Sequence, residues 1–304
     1  MLERRWRPDG PLDVPAVLAP HRRGTGDPVW RHAGGAVWRT CRTPDGPGTL
    51  RVAVEAGEVA GRAWGPGAGW LLETLPGLLG AHDPVAGFRA LVAAARPAGH
   101  PLVRELSARH PGLRLSRTLR VFEALVPAVL EQKVVGREAW RAWRWLLNRY
   151  GEPAPGPAPD GMRVFPAPEV WRGIPSWDWH RAGAEAVRAR TIINAARHAA
   201  KLEAAEPVAL DGLLRALPGV GVWTSAETRQ RAHGDPDAVS VGDYHLPSLV
   251  GWSLAGRRTD DAGMLELLAP YRGHRYRITR LLELGGRRPP ARGPRMAARD
   301  YRSF

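Results

Sequence analysis

The chain has 304 residues, of which 44% are hydrophobic and 24% charged, and this ordinary composition excludes wholesale disorder. A single cysteine, Cys41, excludes an intrachain disulfide framework, a cysteine-based zinc site and a four-cysteine iron–sulfur cluster. Lys and Arg number 44 against 30 Asp and Glu, a net charge of +14 that favours a polyanionic partner such as nucleic acid.

The first hundred residues predict a small α+β domain, which we place at residues 1–108. Short alternating apolar runs on either side of Ala56-Gly57 predict a β-hairpin in GTLRVAVEAG and EVAGRAWG. Helical spacing of apolar residues follows in WLLETLPGLLG and in VAGFRALVAAAR. We expect these two helices to cover the sheet.

The region 109–285 is predicted to be a mainly helical domain, with helices in TLRVFEALVPAVLEQKV, REAWRAWRWLLNRY and the long run RAGAEAVRARTIINAARHAAKLEAA. An apolar stripe follows the last run: Ile192, Ile193, Ala196, Ala199 and Ala200. The Pro and Gly density of residues 151–161 predicts an exposed loop. Residues 286–304 are basic and aperiodic, which predicts a flexible tail that attracts phosphates nonspecifically.

The segment LDGLLRALPGVGVWTSAETRQRA predicts two short helices joined by a tight turn. Four leucines form one apolar helical face before the turn 218–221: Leu210, Leu213, Leu214 and Leu217. Such a turn presents backbone N–H groups at the start of the second helix, where the helix dipole also favours an anion. These residues alone are compatible with a phosphate-binding hairpin and with an ordinary helix connection.

Asp243 follows Trp223 by twenty residues, in DAVSVGDYHLPSLVGWSL. A polar turn there precedes a helix that tolerates Pro247 in its first turn, so the carboxylate is expected at a helix entrance. An isolated Asp in such a place is commonly a helix N-cap. A structural cap and a catalytic carboxylate are therefore both open at this point.

These residues resemble the helix-hairpin-helix (HhH-GPD) DNA glycosylase superfamily, and within it the 3-methyladenine DNA glycosylase II type. LPGVGVWTSA looks like the hairpin of that family, and VSVGDYHL looks like the segment that holds its catalytic aspartate. The resemblance extends over about residues 110–285 and includes PGLRLSRTLRVFEALVPAVLEQKV. It implies a mostly α fold with an N-terminal α+β domain, in the helix-hairpin-helix glycosylase architecture.

The resemblance also implies how the site works. The hairpin would grip a DNA phosphate near the lesion through Pro218, Gly219, Val220, Gly221 and Thr224. It would hold Na⁺ or K⁺ with main-chain carbonyls such as those of Pro218 and Val220, and no organic cofactor is implied. Asp243 would stabilise the oxocarbenium-like sugar that forms as the base leaves, because a fixed carboxylate in a dry pocket opposes that charge strongly.

Trp223 occupies the place where the lyase members of the superfamily carry a lysine that forms a Schiff base with the sugar. An indole cannot form an imine, so a monofunctional glycosylase is expected. In relatives, the neighbourhood of AVLEQKVVG supplies an apolar wedge to the DNA minor groove. Three residues are therefore expected to contact DNA, with the identity of the wedge open among them: Gln132, Lys133 and Val134.

Aromatic side chains near Asp243 are candidates for holding a flipped base, since extruded bases are commonly stacked on aromatic faces. Trp223 and Tyr244 are the predicted pocket residues, and an electron-deficient alkylated purine would stack well on an indole. Two features depart from the family pattern: Glu227 stands where the closest type has an aromatic residue, and LLELGG lacks its pocket-lining tryptophan. We assign no catalytic role to three nearby polar residues: Asp235, Asp237 and His245.

The predicted function is that of a monofunctional DNA glycosylase in base excision repair. It would flip alkylated, 3-methyladenine-like purines out of double-stranded DNA and hydrolyse the N-glycosidic bond with Asp243. A noncatalytic DNA-binding protein and a glycosylase-lyase for oxidised bases are the alternatives. We expect a cytoplasmic, nucleoid-associated protein without an obligate protein partner, because no stretch approaches the ~18 apolar residues of a membrane span.

Overall fold

The computed structural model describes residues 1–94, 99–290 and 300. The strands are β1 (Leu2–Trp6), β2 (Trp30–Ala33), β3 (Ala36–Thr43), β4 (Gly46–Glu55), β5 (Glu58–Trp64), β6 (Glu152–Pro153) and β7 (Arg163–Val164). The α-helices are α1 (Val14–Leu18), α2 (Ala68–Leu78), α3 (Val85–Ala93), α4 (Pro101–Arg109), α5 (Val121–Leu130), α6 (Gly136–Tyr150), α7 (Pro168–Gly173), α8 (Ser176–Ala182), α9 (Ala186–Arg197), α10 (Ala199–Glu203), α11 (Pro207–Arg215), α12 (Val222–Ala232), α13 (Leu246–Ala255), α14 (Asp261–Leu268) and α15 (Arg275–Gly285). Two single turns of 3₁₀-helix lie at Ala19–His21 and Ala269–Tyr271.

The N-terminal strands form an antiparallel sheet of five, in the order β1-β5-β4-β3-β2. The predicted hairpin is confirmed, since β4 and β5 pair up to Glu55 and Glu58 around the two-residue turn. Ala56 and Gly57 have φ values of 51° and 80°. Two successive left-handed residues are what a type I′ turn requires, and this turn matches the twist of the flanking strands.

Helix α2 covers the sheet as predicted, with Leu71 and Leu75 at most 1% exposed. A Cβ on Gly61 of β5 would come within 2.5 Å of Leu75 Cδ2, so the glycine allows this close approach. Helix α3 does not cover the sheet, and that part of the expectation is wrong. Its buried residues Phe88 and Val92 belong to an apolar cluster with residues of α4, α13, α14 and α15.

Helix α5 is the centre of the helical region, and nine of its ten residues are buried. Helices α6, α9, α10 and α12 pack around it. Its first N–H groups donate to the Glu203 carboxylate, Val121 at 2.9 Å and Phe122 at 3.1 Å. Burial raises the pKa of Glu203, although Arg120 and these two N–H groups favour its charged form. The carboxylate thus serves as a cap supplied from a distant helix.

The long helix predicted over residues 181–205 is divided among α8, α9 and α10. Gly183 ends α8 with φ of 81°, and His198 separates α9 from α10 with φ of −106° and ψ of 7°. The predicted apolar stripe is buried at Ile192, Ala196 and Ala199, whereas Ala200 is exposed. The Pro- and Gly-rich segment 151–161 contains β6 and is mostly exposed, as predicted.

The predicted fold class is confirmed: the chain is mostly α, with a small antiparallel sheet near its N-terminus. The largest apolar cluster contains residues of the sheet and of the helices around α5. The division at residues 108 and 285 stays a prediction. Residues 291–299 and 301–304 of the predicted basic tail lie outside the described residues. Among the helices that the structure describes, none has the length and apolar character needed to cross a membrane.

Candidate active site

The predicted hairpin is formed by α11, α12 and the turn between them. Leu210 and Leu214 of α11 are fully buried, and the Val220 N–H closes the turn on the Leu217 carbonyl at 3.0 Å. Gly219 has φ of +88°, and a Cβ there would come within 2.1 Å of Thr191 Oγ1. Glycine is therefore required at this position for both its conformation and its space.

The start of α12 is open to a ligand. Gly221 stands at the N-cap in extended conformation, and no side chain in the described part of the chain caps this end of the helix. Pro218, Gly219 and Gly221 are exposed. Uncapped N–H groups at the positive end of a helix dipole suit an anion such as a phosphate.

Gln132 connects the turn between α5 and α6 to the hairpin. Its Nε2 donates to the Gly219 carbonyl and to Thr224 Oγ1, both at 2.8 Å. The Gln132 carbonyl in turn accepts a hydrogen bond from Arg188 Nη1 at 2.9 Å. Three of the predicted DNA-contacting residues, Gln132, Gly219 and Thr224, therefore lie together, and Arg188 is a supporting residue that the sequence did not indicate.

Lys133 and Val134 differ in their surroundings. Lys133 is exposed and has a left-handed φ of 54°, which is uncommon for a residue other than glycine and marks the sharpest part of the turn. Val134 is partly buried against the large apolar cluster. Of the three residues expected at this turn, Lys133 is thus the one that projects from the surface.

Asp243 faces α13 with one carboxylate oxygen and the hairpin with the other. Its Oδ1 accepts hydrogen bonds from the N–H groups of His245 and Leu246, both at 2.8 Å. Its Oδ2 accepts one from Trp223 Nε1 at 3.2 Å. The two interpretations of Asp243 coincide in geometry, because the carboxylate that caps the helix entrance also touches the hairpin tryptophan.

Glu227 lies one turn after Trp223 on α12 and bonds to the same facing segment. Its Oε1 accepts a hydrogen bond from Ser240 Oγ at 2.6 Å, and its Oε2 pairs with Arg231 at 2.7 Å. Gln230 adds bonds to Ser240 Oγ at 3.0 Å and to the Ala238 carbonyl at 2.9 Å. The i, i+4 spacing of 223, 227 and 231 is the sequence signal for this shared face of α12.

Tyr244 does not form a wall with Trp223. The residue is 81% exposed, and its ring lies edge-on to that of His245, with centroids 4.8 Å apart. Within the described residues, the Tyr244 and Trp223 rings make no ring contact. Of the two predicted pocket residues, Trp223 therefore contacts the Asp243 side chain, while Tyr244 points to solvent.

The other acidic residues near this segment have structural partners. Asp235 pairs with Arg229. Asp237 accepts hydrogen bonds from the N–H groups of Gly273 and Arg275, at 2.7 and 3.2 Å, and from the Arg275 guanidinium. The Asp237 contacts hold the segment after α12 against the start of α15, and the Asp235 pair connects this segment to α12 itself.

A main-chain cation site at the hairpin is compatible with the hydrogen bonds seen. The Gly219 carbonyl is occupied by Gln132, whereas within the described residues the Pro218 and Val220 carbonyls accept no hydrogen bond. Carbonyl oxygens of this kind suit Na⁺ or K⁺. The part of the chain that the structure describes has no cluster of three or more His, Cys, Asp or Glu side chains able to hold a metal ion.

No family model matches the chain. A stretch of 151 residues, 48% of this chain, is 32% identical to a Mycobacterium tuberculosis protein described as a probable bifunctional transcriptional activator/DNA repair enzyme AlkA. The match spans 30% of that protein, so the chain covers well under half of the curated relatives' length.

Among solved structures, the 3-methyladenine DNA glycosylase of Archaeoglobus fulgidus matches 92% of this chain and 97% of its own, with a TM-score of 0.76 and 16% identity. The fold is that of a helix-hairpin-helix DNA glycosylase. An 8-oxoguanine glycosylase/lyase of Clostridium acetobutylicum in its apo-form has this glycosylase fold as well, with a TM-score of 0.67 and 10% identity over 90% of this chain and 92% of its own. The resemblance to the glycosylase superfamily is confirmed at the level of the fold.

Proposed function

We propose that this protein is a monofunctional DNA glycosylase of base excision repair that removes alkylated purines from double-stranded DNA. The observation that carries the proposal is the hydrogen bond from Trp223 Nε1 to Asp243 Oδ2, at 3.2 Å. It sets a carboxylate beside the turn that we propose as the phosphate clamp, and cleavage next to a bound DNA backbone would require this arrangement. A cytoplasmic, nucleoid-associated location without an obligate protein partner belongs to the same proposal.

The hairpin is the proposed phosphate clamp. The open N–H groups at the start of α12 would bind a backbone oxygen, and Na⁺ or K⁺ on the Pro218 and Val220 carbonyls would add positive charge there. The net charge of +14 would draw the duplex to the protein before these short-range contacts form.

Lys133 is the proposed wedge. Gln132 is bonded to the hairpin and Val134 packs against the core, whereas Lys133 is exposed at the tip of the turn. The aliphatic stem of a lysine can fill the gap that a flipped base leaves, while its ammonium group reaches a phosphate. This would be a departure from a purely apolar wedge.

Asp243 is the proposed catalytic residue. As the N-glycosidic bond breaks, its electron pair leaves with the base and the sugar carbon becomes cationic; water then adds to that carbon and loses a proton, leaving an abasic site. The bonds from His245 and Leu246 hold the carboxylate in a fixed direction, so its charge opposes the developing cation without reorganisation. A purine made cationic by alkylation leaves as a neutral base, and such a base needs no general acid.

Trp223 makes the strand-cleaving reaction of lyases unavailable at the hairpin, because an indole cannot form the Schiff base. A lyase acting on oxidised bases is kept as a second candidate by the fold shared with a glycosylase/lyase. Borohydride trapping separates the two, since a lyase that used Lys133 would give a covalent protein–DNA adduct and a monofunctional enzyme would not. A noncatalytic DNA-binding protein would release no base at all.

The deciding experiment measures base release from duplexes that contain 3-methyladenine, 7-methylguanine, hypoxanthine or ethenoadenine, scored as abasic sites after alkaline cleavage. Asp243→Asn keeps an oxygen that can accept the hydrogen bonds from the His245 and Leu246 N–H groups, but it removes the negative charge. We expect it to bind DNA normally and to lose at least about 100-fold in rate, the scale of a lost electrostatic contact to a transition state. Full activity of this variant, or no base release by the wild type, would refute the proposal.

A further inference from the structure

We propose that Glu227 selects the base by accepting hydrogen bonds from N–H groups on its outer edge, so that bases with such donors are excised in preference to bases without them. The inference rests on the proposed function, since it takes the Asp243 site as the place where the base is released. Nothing in the resemblance assigns this role, because the family pattern has an aromatic residue at this position.

The position of Glu227 on α12 places it within the length of a base from Trp223. Trp223 and Glu227 are four residues apart and therefore lie on one face of the helix, about 6 Å apart along its axis. Both bond to one facing segment, Trp223 to Asp243 and Glu227 to Ser240. This separation is comparable to the length of a purine. With the sugar at Asp243 and the ring on Trp223, the far edge of the base would reach Glu227.

The hydrogen bonds of Glu227 leave acceptor positions available on its carboxylate. Within the described ranges, Oε1 has one partner, Ser240 Oγ at 2.6 Å, and Oε2 has one partner, Arg231 at 2.7 Å. An ionised carboxylate offers about four acceptor positions, so capacity is left on both oxygens. The side chain is 13% exposed, which leaves part of it accessible while its partners hold it in place.

Arg231 decides what kind of selection Glu227 exerts. Its side chain is 14% exposed, and besides pairing with Glu227 it donates from Nε to the Pro20 carbonyl at 3.1 Å. The guanidinium balances the charge of the carboxylate, so the Glu227–Arg231 pair carries little net charge. Selection would therefore depend on the direction and number of N–H donors on the base rather than on its positive charge alone.

The base chemistry then orders the substrates. 7-Methylguanine presents a ring N–H and an amino group side by side, a pair that a carboxylate can accept together. 3-Methyladenine presents an amino group and hypoxanthine a ring N–H. Ethenoadenine presents neither, because its etheno bridge closes over both nitrogens. We expect the wild type to prefer 7-methylguanine to ethenoadenine and Glu227 to be responsible for part of that preference.

The test compares single-turnover excision of 7-methylguanine and of ethenoadenine from otherwise identical duplexes. Glu227→Gln should lower the 7-methylguanine to ethenoadenine rate ratio by about 10- to 100-fold, the scale of a lost hydrogen bond to a charged group. Asp235→Asn is the matched control, since it also removes a partly exposed carboxylate that pairs with an α12 arginine. It should leave the ratio unchanged.

The ratio is the readout because it cancels any change in the fraction of folded protein. Ser240→Ala is a second variant, which keeps the Glu227 charge but removes the hydroxyl group that orients Oε1, and it should lower the ratio to a smaller extent. An unchanged ratio in Glu227→Gln, with both bases still released, would overturn this inference alone. Absence of base release by the wild type would overturn the proposed function and this inference with it.

Discussion

Substitution by alanine should affect different properties at two glycines of the hairpin turn, stability at Gly219 and DNA binding at Gly221. Gly219 has φ of +88° and lies against buried Thr191, whereas Gly221 has φ of −93° and ψ of −175°, and a Cβ there meets nothing within 4 Å. Gly219→Ala should therefore damage the fold. Gly221→Ala should leave the fold intact and damage the contact with DNA.

The magnitude for Gly219→Ala follows from two costs. A left-handed conformation costs a residue with a Cβ about 1–2 kcal/mol. The new Cβ would lie 2.1 Å from Thr191 Oγ1 and 3.1 Å from Thr191 Cβ, and moving Thr191 breaks its hydrogen bond to the Val187 carbonyl at 3.1 Å. Overpacking of this kind costs about 1–3 kcal/mol. The expected total is about 2–5 kcal/mol, or roughly 4–20 °C in Tm.

For Gly221→Ala the expected change in stability is within about 1 kcal/mol, because the smaller unfolded-state entropy favours alanine and the N-cap preference favours glycine. The added methyl group would instead stand in front of the open N–H groups of α12. We expect roughly 10-fold weaker binding, or ~1.4 kcal/mol, to a duplex with an abasic-site analogue.

Thermal unfolding by circular dichroism and fluorescence anisotropy with a labelled duplex measure the two effects separately. Equal Tm values for the wild type and Gly219→Ala would refute the steric argument at Thr191. A Gly221→Ala protein that binds DNA as the wild type does would refute the assignment of this helix end to a phosphate.

Two further predictions concern a structural carboxylate and the projecting lysine. Partial burial opposes ionisation of Asp237, but the hydrogen bonds from Arg275 and from the Gly273 N–H outweigh it and lower the pKa of this carboxyl. Asp237→Asn should thus lower the free energy of unfolding, measured with urea at pH 7, by about 1–3 kcal/mol. The difference between the wild type and the variant should disappear as the pH falls below 3.8 and through the lowered pKa of the folded state, because the stabilisation needs the ionised carboxylate. A difference that persisted at the lowest pH would contradict this account. Lys133→Ala should weaken DNA binding and lower the slope of log affinity against log salt concentration by about 1. Borohydride trapping should stay at background in this variant. An unchanged slope would show that Lys133 contacts no phosphate.

The sequence predicted the elements whose patterns are local. Two elements could be predicted without knowing any distant partner: the hairpin strands around Ala56-Gly57 and the leucine-rich helix that ends before Pro218. The structure confirms both of them. Asp243 at a helix entrance was also readable, because a polar turn before a proline-containing helix start is a local signal.

Features that depend on residues distant in sequence could not be predicted from local patterns. The apolar face of α3 does not say which surface it will cover, and it covers the C-terminal helices rather than the sheet. The break at His198 lies in an alanine-rich run, and neither glycine nor proline marks it in the sequence. Exposure of Tyr244 and the bond of Glu227 to Ser240 likewise depend on how α12 meets the following segment.

The bridge made by Gln132 joins two turns that are 87 residues apart in sequence. Under the proposed function, the tip that presses into the duplex and the turn that grips its backbone are braced against each other. A base pair that resisted the tip would then act on the hairpin as well, because one side-chain amide holds both the Gly219 carbonyl and Thr224 Oγ1. Insertion at the tip and binding of the backbone would in this way be coupled through one side chain.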